Sequence, residues 1–196
     1  MATGNNNPIT PLVSHPVADA LANLLQQSCA AFGPLTTEYD AQWRSPCELG
    51  AAFNTPPQIC WQPVARTFGD DFAGLAQAFE VPIHPDIEAY YGAFWSANIN
   101  ATAASGDLLL LQVWNEQDRE RLIENLIGHY LVQQRAKAPV SLFFACTEPD
   151  SDLILTVENA TGAVLLERPG SQPLRQVSPS LTEFLQTLAP APTTGV

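Results

Sequence analysis

Glu116, Glu120 and Glu124 recur every fourth residue, with Asp118 between the first two. Residues three and four apart share one side of an α-helix, so this spacing lines carboxylates up in a row. Two chemistries are open to such a row. Paired acids can exchange protons with a substrate when burial separates their pKa values. A hydrated row can instead grip the Lys and Arg side chains of a partner. Helical acids at this spacing ordinarily face water, which favours contact over catalysis. The plainer alternative is a solvated face: like charges at that spacing cost roughly 0.2–0.5 kcal/mol per pair, and Arg119 and Arg121 stand where they can pair with Glu116, Asp118 or Glu124. Asp86 and Glu88 add a smaller acidic group earlier in the chain.

Other reactive residue types are scattered. His15, His84 and His129 lie far apart and form no H-x-x-x-H or H-E-x-x-H, so no metal site is expected. His129 flanks an apolar stripe and reads as a hydrogen-bonded structural residue. Cys29, Cys47, Cys60 and Cys146 make no C-x-x-C pair and read as free thiols. No G-x-S-x-G, Walker loop or G-x-G-x-x-G occurs, so no catalytic residue and no cofactor is expected. Of the four tryptophans, Trp43, Trp61, Trp95 and Trp114, Trp61 stands beside Gln62-Pro63 in a proline-rich stretch and is the one expected to line a groove.

The elements that would position these residues follow from periodicity. Val17 to Phe32 has helical spacing at Val17, Leu21, Leu24, Leu25 and Phe32, and Gly33-Pro34 stops it. Leu35 to Arg66 reads as loop-rich, with a short strand at 59–62. Asp70 to Val81 and Pro85 to Trp95 are predicted helices. Asp107 to Trp114 is a predicted strand. Next comes the long helix from Glu116 to Lys137, with Asn115 as N-cap and Asp118 at the capping-box position. Its stripe of Leu122, Ile123, Leu126, Ile127, Tyr130 and Leu131 is expected to be core. Strands follow at 140–146, 152–158 and 163–167, the last two a hairpin turned at Gly162. Leu181 to Leu188 is a closing helix with Ser178 or Ser180 at its start. Helices early, strands late and one long helix between them predict a single α+β domain with a mostly antiparallel sheet flanked by helices. Its expected span is 16–189, between a disordered extension over 1–15 and a disordered tail over 190–196.

Charge narrows the partner. Twenty Asp and Glu face eight Lys and Arg among 196 residues, a net charge of −12. Such a surface repels phosphate backbones and anionic lipid, so neither nucleic acid nor direct lipid insertion is expected. It attracts basic segments. The N-terminal stretch lacks the basic start and apolar run of a signal peptide, which points to a cytoplasmic location.

Several stretches carry a family pattern: Ser45-Pro46-Cys47, Cys60-Trp61-Gln62-Pro63, and Gln112-Val113-Trp114 before the acidic helix start. Glu124-Asn125-Leu126-Ile127-Gly128-His129, the run from Gln133 through Leu142-Phe143-Phe144-Ala145, and Glu183-Phe184-Leu185 continue it. Together, over about Val17 to Ala189, they resemble the Syd family of bacterial SecY-interacting proteins. The resemblance is strongest from Leu111 to Ala145. It implies a fold like the SUKH superfamily, and a peripheral protein on the cytoplasmic side of the inner membrane. Such a protein would bind SecY, the channel subunit of the Sec translocase, and restrain or sequester it rather than catalyse a reaction. SUKH proteins include toxin-immunity proteins, so neutralising a toxin is the alternative function. The family's acidic positions carry over to Glu116, Asp118 and Glu124, and Glu120 extends the row. Asp86 and Glu88 do not carry over. Ala136 and Ala138 stand where larger aliphatic residues are expected. The basic cytoplasmic loops typical of membrane proteins would suit a partner at −12.

Overall fold

The structure is a computed structural model that describes residues 8–67, 72–147 and 151–192. A seven-stranded sheet forms its centre, and every neighbouring pair in it is antiparallel. The sheet curls into a half-barrel flanked by helices, an α+β arrangement as the order of elements predicts.

Helix α1 (Pro16–Phe32) opens the domain. His15 is its N-cap, with Nδ1 accepting the Val17 N–H at 3.3 Å, and Pro16 occupies the first helical position. Val17, Leu21, Leu24 and Leu25 are buried on one face. Each such aliphatic side chain stabilises the fold by about 1.5–3 kcal/mol. Phe32, expected in that stripe, is 45% exposed because the helix runs past the core at this end. Residues 8–15, within the expected extension, run back along α1, where the Ile9 N–H donates to Gln26 Oε1 at 3.0 Å and Ile9 packs on the core.

The stretch expected to be loop-rich folds into strands. β1 (Leu35–Glu38), β2 (Glu48–Phe53) and β3 (Gln58–Trp61) form a small antiparallel sheet in the order β1-β3-β2. Its prolines fall between strands, where no ladder donor is required. β4 (Val64–Ala65) then pairs with β5 (Phe94–Trp95). That pairing shortens the helix expected over 85–95: α3 spans Pro85–Gly92, and the Arg66 N–H reaches back to Ala93 O at 3.0 Å. α2 is also shorter, Ala73–Phe79, because Glu80 turns left-handed and its N–H bonds to Gln77 O. Asp70 and Asp71, expected in its first turn, lie outside the described residues.

β6 (Ile99–Ala103), unforeseen from periodicity, and β7 (Gly106–Leu110) make a hairpin. β7 ends early because the Gln112 N–H leaves the ladder for Asn98 Oδ1 at 2.9 Å. Helix α4 (Glu116–Ala136) follows, then β8 (Ser141–Thr147), β9 (Ile154–Glu158), β10 (Val164–Glu167) and β11 (Arg175–Ser178). α5 (Leu181–Gln186) is capped by Ser180, whose Oγ accepts the Glu183 N–H. β12 (Ala189–Pro190), at the start of the expected tail, pairs with β6. The order across the sheet is β11-β10-β9-β8-β7-β6-β12.

Alternation along the strands assigns the two faces. Phe143 meets His129 of α4, whereas Phe144 meets Phe184 of α5 and Tyr90 of α3. α4 therefore covers one face, and α3 and α5 with α1 cover the other. The α4 stripe is buried or half-buried at Leu122, Ile123, Leu126, Ile127 and Tyr130, and Tyr130 stacks on Phe79 of α2 at 4.1 Å. Leu131 is the correction: it is 50% exposed, since none of the described elements covers that flank of α4.

Candidate partner-binding surface

Three carboxylates of the predicted row face solvent: Glu116, Glu120 and Glu124 are exposed along α4. Glu116 pairs with Arg119, which holds its carboxyl below the usual range. Among the described residues, Glu120 and Glu124 make no ion pair, so neither carboxylate is neutralised by a neighbouring cation.

Asp118 does something else. Asn115 Oδ1 accepts the Asp118 N–H at 2.8 Å, and Asp118 Oδ2 accepts the Trp114 N–H at 3.0 Å. The first bond caps the helix start, where four N–H groups lack intrahelical partners, and the second pins the residue ahead of the cap to the first turn. Arg121 approaches Asp118 Oδ1 at 4.0 Å and lies over the Trp43 ring at 5.2 Å.

A loop that the helical pattern did not implicate borders this surface. Trp43 O accepts the Trp114 indole N–H at 3.0 Å, Arg44 O accepts from Asn115 Nδ2 at 2.9 Å, and Ser45 Oγ donates to Trp114 O at 2.5 Å. Residues 43–45 are thus tied to the junction that starts α4, and half-buried Trp43 stands beside the acidic row. The signal was present in the Ser45-Pro46-Cys47 stretch, but its target some 70 residues on was not.

Trp61 does not line a groove. It is 5% exposed and packs edge-on against Trp114 with ring centres 6.2 Å apart. It sits in the middle strand of the small sheet, opposite Leu35 of β1 and Glu48 of β2. Asp86 stands 3.8 Å from His15 Nε2 on α1, and Glu88 is half-buried, its carboxyl pushed up by desolvation. None of the described hydrogen bonds or ion pairs joins either residue to α4.

His129 belongs to a buried cluster with Gln133, Ser141 and Glu167. Serine, histidine and a carboxylate are the parts of a hydrolytic triad, but their arrangement is wrong for one. Ser141 Oγ donates to Glu167 Oε1 at 2.8 Å rather than to the imidazole, and His129 Nε2 faces the Gln133 amide at 2.9 Å. All are shielded from solvent, so a substrate could not reach the hydroxyl. Burial lowers the His129 pKa and raises that of Glu167, both towards the neutral form. The cluster ties α4 to β8 and β10, the structural role expected of His129. Among the described residues no group of three or more His, Cys, Asp or Glu could hold a metal ion, and no helix is long and apolar enough to cross a membrane. The four cysteines are free thiols.

A curled antiparallel sheet backed by an amphipathic helix with a carboxylate row on its outer side defines a small α+β protein with an acidic helix face turned to solvent. The family described as "Syd protein (SUKH-2)" matches residues 18–190. The chain is 45% identical over 159 residues to "Protein Syd" of Pseudoalteromonas atlantica, covering 80% of this chain and 84% of that one. It is 39% identical over 173 residues to "Protein Syd" of Colwellia psychrerythraea, covering 83% and 85%. It is 36% identical over 171 residues to "Protein Syd" of a Shewanella species, covering 87% and 79%. The chain belongs to the Syd family.

Proposed function

We propose that this protein binds SecY, the channel subunit of the Sec protein translocase, at the cytoplasmic face of the inner membrane. The contact runs from the acidic outer side of α4 to basic cytoplasmic loops of SecY. The protein acts there as a regulator or sequestering factor, not as an enzyme. Family membership supports the reading, and the observation that carries it is the exposed pair Glu120 and Glu124, neither of which makes an ion pair among the described residues. Cytoplasmic loops of membrane proteins are rich in Lys and Arg. At a net charge of −12, adsorption to anionic lipid is disfavoured, so membrane association is peripheral and goes through the protein receptor.

The test is capture of detergent-solubilised SecY by the protein and by a Glu116→Lys, Glu120→Lys, Glu124→Lys variant. Asp118 is left intact because its carboxylate holds the Trp114 N–H at the helix start. Capture by the parent should weaken steeply with salt, and the variant should lose it while keeping its circular dichroism spectrum. Undiminished capture by a folded triple variant would overturn the assignment of this face.

A further inference from the structure

Trp43 and Asp118 form a fixed corner at the head of the acidic row. Trp43 is half-buried, and hydrogen bonds hold its stretch of chain to the start of α4. Its own O accepts the Trp114 indole N–H, Arg44 O accepts from Asn115 Nδ2, and Ser45 Oγ donates to Trp114 O. Asp118 is fixed as well, since its Oδ2 accepts the Trp114 N–H and its own N–H donates to Asn115 Oδ1. Among the described residues its Oδ1 accepts no hydrogen bond; the nearest cation to it is Arg121, at 4.0 Å.

The side chain that occupies this corner is held far less firmly than the corner itself. The Arg121 guanidinium lies over the Trp43 ring, 5.2 Å from its centre. Its 4.0 Å separation from Asp118 Oδ1 exceeds hydrogen-bond reach, and its side chain is 64% exposed. A pair so exposed and so long contributes little to stability. As a brace between the 43–45 loop and α4 the contact is redundant, because three hydrogen bonds already join them. As a sign of what the corner accepts it is specific. An aromatic face and an unused carboxylate oxygen stand together, with a guanidinium resting on both.

We infer that this corner is a subsite for an arginine of the partner, which Arg121 fills in the free protein and vacates on binding. The inference rests on the proposed reading that α4 meets a basic segment. A guanidinium is planar and weakly hydrated, so it lies flat on an indole while its edge donates to a carboxylate. An ammonium is compact and strongly hydrated, and gains less from the ring. Arg121 reaches Asp118 from three residues along the same helix, over the helix surface. An arginine arriving from solvent is free of that tether and can close on Oδ1 to a charge-assisted distance of about 2.7–2.9 Å. Glu120 and Glu124 lie next to and one turn beyond Arg121, so neighbouring cations of the same segment meet them. The row attracts any basic segment; the corner selects one that contains arginine.

The test uses two acetylated, amidated peptides, identical except that one carries arginines where the other carries lysines. Each is titrated calorimetrically into the full chain at low ionic strength. The parent should bind the arginine peptide about three- to tenfold more tightly, and that peptide should shift the Trp43 indole resonance in NMR spectra. Trp43→Leu keeps the backbone carbonyl that holds Trp114, and should bind both peptides equally, at the affinity of the lysine peptide. Trp43→Phe should restore part of the preference. A ring that only braces the loop would alter the melting temperature and leave the ratio of affinities unchanged. Equal affinities in the parent, a preference that survives in Trp43→Leu, or no saturable binding of either peptide overturns the subsite. Failure of the subsite is separable from failure of the proposed function. If the preference is absent but the triple α4 variant still loses SecY, only the subsite falls. If the preference holds but that variant captures SecY undiminished, the subsite stands and the proposed SecY contact falls.

Discussion

Gly162 lies so close to the imidazole of His84 that a β-carbon built on it would fall 2.7 Å from both Cε1 and Nε2. Its φ of +78° is also one that side-chain-bearing residues rarely adopt. The contact docks the β9–β10 hairpin on the start of α3, where His84 Nδ1 accepts the Asp86 N–H and Asn159 bonds both His84 N–H and Pro82 O. Gly162→Ala should therefore destabilise the protein by about 1–3 kcal/mol, seen as a lowered urea midpoint. Gly74→Ala, in α2 with open space around it, is the control and should be neutral or stabilising by up to about 1 kcal/mol.

Asn115 joins two segments at once. Its Oδ1 caps α4 and its Nδ2 holds Arg44 O. Asn115→Ala should cost about 1–3 kcal/mol in denaturant unfolding, combining a lost cap with an orphaned carbonyl. Asn115→Asp keeps the cap acceptor and loses the donor, so its cost should fall between that of the parent and that of the alanine variant. Equal costs for both substitutions would show that the cap contributes nothing.

The buried Glu167 makes stability depend on pH. Its folded-state pKa lies above the ordinary value of 4.5 because burial disfavours the charged form. Its contribution is thus full below about 4.5 and is lost as pH rises through the raised folded value. His129 works in the opposite sense: its pKa is lowered from 6.5, so its contribution is full above 6.5 and is lost as pH falls below that through the lowered value. Each pKa unit of separation amounts to about 1.4 kcal/mol. Glu167→Gln should remove the loss on the high-pH side, raising the melting temperature relative to the parent at pH 7 but not at pH 4. A parallel shift at both pH values would contradict this assignment.

On the proposed reading, Arg121 competes with a basic partner for the acidic face. It is largely exposed, reaches Asp118 at 4.0 Å and covers the Trp43 ring. A basic partner would have to share that space. Arg121→Gln should tighten binding of a Lys-rich peptide by about two- to fivefold at low salt, with the gain vanishing as salt rises. Calorimetric titration at two ionic strengths reads it directly, and a loss of affinity would show that Arg121 contacts the partner instead.

Much of α4 was legible from residue order. Its N-cap, its bounds to within one residue and its carboxylate row all depend on neighbours within a turn or two, where a period of 3.6 residues and a capping side chain decide the outcome. The antiparallel character of the large sheet, four of its seven strands and the β9–β10 hairpin were legible from apolar runs and the Gly162 turn, whereas β6, β11 and β12 were not. The small β1-β3-β2 sheet was not, because its strands are short and proline-bounded and are stabilised by each other rather than by a periodic pattern.

Residue order alone thus determined that this is an acidic α+β protein with a helical row of carboxylates and the marks of its family. The tertiary structure decided which of those carboxylates are available. Asp118 caps the Trp114 N–H, Asp86 faces His15, and Glu120 and Glu124 stay in water. It also decided that Trp61 is core, that residues 43–45 border the helix start, and that Glu167 is buried beside His129. The physical reason is range. A helix repeat reports only which residues share a face; what covers that face is set by contacts between segments many residues apart, such as the 71 between Arg44 and Asn115.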